Sequence, residues 1–220
     1  MYLAALLLAA AILLVWLQVR HVRHVALERR GVLEGAAAAL DQPQLVQQGI
    51  DYPVLAGFYR GRRVSIALIP DHVALRGLPT LWLSTTLYQA LPLPGPIDML
   101  LRPSATDIVS PAGRFPHEHE IPEGWPAHLR IATPAGVLLP FPMLSPVVPL
   151  LHDRRTKDVL ISPAGVRLIT EVARAELGLY RMVRRSRFTV QVTATALAAV
   201  LESVHDLAAD LEHAVPTGSA

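Results

Sequence analysis

No cysteine occurs among the 220 residues, so disulfides, zinc–thiolate sites and thiol nucleophiles are excluded. Lysine is almost missing as well: Lys157 stands alone, and every other basic side chain of this type is an arginine. A base-composition bias of the gene accounts for that as readily as phosphate binding does. Aromatic residues make up only 5% and charged residues 17%, against 52% hydrophobic, a balance that supplies a core and rules out disorder of the whole chain. Net charge is only +2. The phosphate loop G-x-x-x-x-G-K, the dinucleotide turn G-x-G-x-x-G and the zinc helix H-E-x-x-H are all absent from the sequence.

What the chain does have is an opening run, "MYLAALLLAAAILLVWLQVRHVRHV", with no charge, glycine or proline from Tyr2 to Leu17. At about 1.5 Å per residue this is roughly 24 Å of apolar helix. Gln18 and Val19 bring it close to the ~30 Å of a bilayer core. Tyr2 and Trp16 stand at its two ends, where amphipathic rings favour the headgroup level. A cleaved signal peptide needs a basic region before the apolar run, and none is present, so the reading is an uncleaved anchor over 1–19. Arg20, Arg23, Arg29 and Arg30 follow the span and none precedes it. The positive-inside rule then places the N-terminus outside and the main domain in the cytoplasm of a bacterial inner-membrane protein. His21 and His24 join this basic stretch, which reads as a juxtamembrane helix over 20–42, continuing to about Leu40.

Beyond it, 43–214 reads as one α+β domain built on a mostly antiparallel sheet. "DYPVLAGFYRGRRVSIALIPDHVAL" predicts two strands joined at Gly61, and "PTLWLSTTLYQALPLP" and "IDMLLRP" predict two more. Within this stretch, "GFYRGRRV" over 57–64 resembles a G-x-Y-x-G-R-x-V strand of uncharacterised bacterial single-span membrane-anchored proteins. The resemblance covers about eight residues and implies membrane anchoring without an activity.

Between 91 and 151 prolines recur every few residues, which forbids a long helix and predicts irregular coil with short strands at "HLRIATP" and "GVLLPFP". The segment is also rich in Leu, Ile and Val, so packing is expected to order it. "SPVVPLLHD" predicts a short helix, and "KDVLISPAGVRLITEVA" a strand, a turn and a second strand or helix start. Near the end, Leu197, Val200, Val204, Leu207 and Leu211 recur at helical spacing, predicting an amphipathic helix packed on the sheet, with a tail at 215–220.

"FPHEHEIPEGWP" carries the densest set of metal-capable side chains. His117 and His119, or Glu118 and Glu120, share a face if the stretch is extended. A third ligand has to come from His72, His128 or His152, and a polar loop is the simpler reading. Similar pentapeptides at Ser110 and Ser162 read as two like turns, without a nucleophile elbow. "RMVRRSRF" groups Arg181, Arg184, Arg185 and Arg187, a basic patch suited to anionic lipid or an acidic partner; no nucleic-acid module accompanies it. Trp125, between Pro122 and Pro126, together with Phe115 and Phe141, is the expected partner-binding set.

One apolar span, an outside N-terminus and a cytoplasmic domain make a layout similar to that of the H subunit of bacterial photosynthetic reaction centres. The likeness implies an accessory or scaffold subunit, without cofactor or catalysis, binding an integral photosynthetic or respiratory complex and the lipid bilayer. Two alternatives stand beside it: a membrane-tethered metal-dependent enzyme using the HEHE stretch, and a lipid-binding envelope module.

Overall fold

A computed structural model describes residues 2–71, 78–104, 107–111, 114–175, 188 and 190–214. His72, the basic cluster Arg181 to Arg187 and the tail 215–220 lie outside these residues.

Helix α1, Tyr2–Glu34, is followed by a 3-10 turn, Gly35–Ala39, so regular α-helix stops short of Leu40. Nine strands come next: β1 Asp41–Val46, β2 Val54–Tyr59, β3 Arg62–Asp71, β4 Thr80–Tyr88, β5 Ile97–Leu101, β6 His117–His119, β7 Leu129–Thr133, β8 Thr156–Ser162 and β9 Gly165–Arg174. They form a single open sheet in the order β1-β2-β3-β4-β9-β8-β5-β7-β6, every neighbour antiparallel. Two short helices, α2 Phe141–Leu144 and α3 Val148–His152, precede β8, and α4, Ala194–Ala214, ends the described chain.

Local chemistry accounts for these elements. The β2–β3 turn holds Arg60 at φ 50° and Gly61 at φ 77°, the two positive dihedrals of a tight hairpin whose twist matches its strands. "GVLLPFP" is not a strand. Pro140 and Pro142 lack the N–H that a ladder requires, whereas Pro142 fits the first turn of α2, where no donor is needed. The HEHE stretch, in turn, is an edge strand rather than a loop, since β6 pairs His117, Glu118 and His119 with Thr133, Ala132 and Ile131 of β7.

One face of the sheet carries the main core. Leu55, Val64, Ile66, Leu83, Met99, Ile131, Val159, Ile161 and Leu168 point into it; α4 packs Leu197, Leu201, Val204, Leu207 and Leu211 into this core chiefly over β4 and β9, leaving Val200 half-buried, while α3 lies against β8. Val32 and Leu33 of α1 and Ala36 of the 3-10 turn belong to the same core. The opposite face has two small apolar clusters. Trp82, Ile169 and Val109 form one, and Leu100, Ala132 and Phe115 the other.

Candidate functional site

Between those two clusters runs a diagonal of charge. Arg167 of β9, Asp158 of β8, Asp98 of β5, Arg130 of β7 and Glu118 of β6 all project from the face opposite α4. The registers Arg167↔Leu160, Leu100↔Asp158, Asp98↔Ala132 and Glu118↔Ala132 set each one diagonally against the next. Such diagonal neighbours lie within reach of long or polar side chains. The order of charges is positive, negative, negative, positive, negative.

The outer links are ordinary ion pairs. Arg167 Nη2 donates to Asp158 Oδ2 at 3.0 Å and to the carbonyl of Val109 at 3.2 Å. Arg130 Nη2 lies 2.5 Å from Glu118 Oε1. The central link is unusual, because it joins two carboxyl groups that are both fully buried. Asp98 accepts from Ser110 Oγ at 2.6 Å through Oδ2, and Asp158 uses Oδ2 for Arg167. No N–H or O–H of the described residues serves Oδ1 of either side chain, and the two carboxyl groups act electrostatically on each other.

Burial pushes the Asp158 carboxyl well above the usual carboxylate range, and the negative charge of Asp98 pushes it further, against the pull of Arg167. Asp98 is raised too, by burial, although Ser110, Asp158, Arg167 and Arg130 all favour its charged form. Chemically this is a carboxyl dyad suited to holding a proton.

A short segment, 107–111, straps this region. Asp107 anchors its start through Lys157, whose Nζ lies 2.8 Å from Asp107 Oδ1, 3.1 Å from the Leu101 carbonyl and 2.9 Å from that of Arg102. Three acceptors match the three donors of the ammonium group, so the only lysine of the chain is a buried tie. Val109 and Ser110 then fasten the strap to Arg167 and Asp98.

The residues singled out from sequence fall elsewhere. His119 Nε2 is 2.8 Å from Thr133 Oγ1, and His117 lies against Gly136. Among the described residues no group of three or more His, Asp or Glu is arranged to hold a metal ion. Glu118, His119, Glu120 and Arg130 line an open groove of about 620 Å³ at the β6 edge. His152 reaches the carbonyl of Gly124 at 3.3 Å. Trp125 and Phe141 meet edge to face at 5.8 Å, half-buried against the main core, whereas Phe115 packs with Leu100 and Ala132 on the other side of the sheet. The three aromatics therefore do not share one surface.

On α1, Tyr2 and Trp16 are exposed, and the Arg20 guanidinium lies 5.5 Å from the Trp16 ring. Arg23 and Arg30 are exposed too. Arg29 turns to the domain, donating to the Ile50 carbonyl at 2.5 Å and stacking 5.0 Å from the Tyr52 ring.

The "GFYRGRRV" residues also have structural work. A Cβ on Gly57 would lie 2.9 Å from the Asp41 carbonyl oxygen and 3.1 Å from the Leu40 side chain, so glycine there lets the chain leave α1 across β2. Tyr59 donates to Glu202 of α4 at 2.6 Å, and Arg62 faces Glu212 at 3.6 Å.

The diagonal was not singled out from sequence, although Asp98, Arg130 and Arg167 are each a lone charge among apolar strand neighbours, as in "IDMLL" and "GVRLI". No family model, curated protein or solved structure matches the chain.

Proposed function

We propose that the protein is a single-pass membrane protein whose α+β domain binds and positions an integral membrane complex as a non-catalytic accessory or scaffold subunit. The observation that carries this reading is the continuity of α1. Its first half is bare, with Leu6, Leu7, Leu8, Ile12, Leu13 and Leu14 all exposed, and it is long and apolar enough to cross a membrane. The same helix then runs without a break into the domain, where Val32 and Leu33 are buried in the core. A helix shared by span and core transmits orientation as well as attachment, which a scaffold needs and a mere tether does not.

The flank of Arg20, Arg23 and Arg30 supports an outside N-terminus with the domain on the cytoplasmic side. A flexible Gly-Ser insertion between Arg23 and His24 tests the idea. It should leave membrane attachment and the melting of the domain unchanged, yet reduce co-purification of an integral membrane partner from native membranes. Undiminished co-purification, or no integral partner with the unaltered chain, would overturn it.

A further inference from the structure

We propose that Asp98 and Asp158 form a binding site for a single proton, and that this proton keeps the 107–111 strap closed over the sheet. Charge balance is the first argument. Asp98, Asp158 and Glu118 carry three negative charges along the diagonal, against two positive charges on Arg167 and Arg130. One proton on the pair makes the row neutral. The two Oδ1 atoms give the second argument, since both are buried and neither receives a donor from the described residues. A proton on one carboxyl supplies the missing donor and leaves the other to accept it.

The charged groups acting on the pair come from each neighbouring element. Arg167 faces it from β9 and Arg130 from β7, with Glu118 of β6 beyond Arg130. The strap contributes the Ser110 hydroxyl, and Asp107 at its start is occupied by Lys157. On this face β4 presents Trp82, Ser84 and Thr86, which carry no charge.

Losing the proton leaves two buried carboxylates as diagonal neighbours on adjacent strands. Sheet ladders fix both strands, and the opposite face is packed core, so relief has to come from the strap side by admitting water. Ser110 and Val109 bind the strap to Asp98 and to the partner of Asp158, so the strap yields where the charge appears. Its opening uncovers Trp82 and Ile169, which Val109 covers when closed.

Infrared spectroscopy of the full chain in nanodiscs tests the proton. At neutral pH the wild type should show a protonated-carboxyl stretch that both Asp98→Asn and Asp158→Asn lose. On raising the pH the band should vanish while the Trp82 emission, assigned by difference from Trp82→Phe, shifts to the red over the same range. Absence of the band at neutral pH, or its persistence in both Asn variants, overturns the proton site. A band that titrates with Trp82 emission unchanged overturns the strap. Should neither Asn variant fold, the wild-type titration decides both points.

Discussion

Asp158 is fully buried against a second carboxyl group, and the consequence for stability follows from the direction of its shift. Folding raises both carboxyl pKa values, Asp158 the further, chiefly through burial. From about pH 4, the ordinary carboxylate value, up to the raised values, the native state therefore holds more protons than the unfolded chain. The stability contributed by the protonated pair is complete at the acid end and is lost as pH rises through that interval. Asp158→Asn is neutral at every pH and keeps an amide for Asp98. Its urea midpoint should vary less with pH than that of the wild type, and should be the higher of the two under alkaline conditions. Lys157 predicts the opposite outcome. Lys157→Met leaves the carboxylate of Asp107, only 11% exposed, without its cation, and two carbonyls without their donor. Breaking a buried pair from one side costs about 3–5 kcal/mol, which equilibrium unfolding in urea will read.

At the scale of elements, Gly57 and Gly61 separate two uses of glycine. Gly61→Ala keeps open space around the new methyl but forces φ 77° on a residue with a side chain, whereas Gly57→Ala drives a methyl onto backbone. The first should cost about 1 kcal/mol and the second about 1–3 kcal/mol, measured as the loss in unfolding free energy. The Gly61 hairpin is legible in sequence because a turn is local, and so are β4, β5, β7 and the β8–β9 hairpin, each an apolar run between turn residues. Elements that depend on a distant neighbour are harder to read. β6 is three residues long and exists through its ladder with β7, so its polar composition reads as a loop. The charged diagonal is harder still. Arg167, Asp158, Asp98, Arg130 and Glu118 come from five strands whose order departs from the chain, and only that order turns isolated polar residues into neighbours. The fold class is thus visible in periodicity, while the site depends on register, which no local pattern encodes.

For the whole molecule, the length of α1 sets how the domain stands. At about 1.5 Å per residue, its 33 residues extend roughly 50 Å, of which a bilayer core takes ~30 Å. On the proposed arrangement the remaining ~20 Å carries the helix through the headgroup layer to the core contacts of Val32 and Leu33. The 48–52 loop meets α1 lower down, since Gln47 reaches the carbonyl of Ala26 and Arg29 that of Ile50. On the proposed arrangement it sits beside the headgroups, with Ile50, 43% exposed, on its surface. Attachment by an apolar helix of this length rests on hydrophobic transfer, so neither high salt nor alkaline carbonate should release the protein from membranes. Reporters on the C-terminal side of α4 then read the direction of the span. A fluorescent-protein fusion should glow and an alkaline phosphatase fusion should stay inactive, because the proposed orientation puts the domain behind Arg20, Arg23 and Arg30 on the cytoplasmic side. An active phosphatase fusion would reverse the orientation while leaving the anchor in place, and release by salt alone would remove the anchor itself.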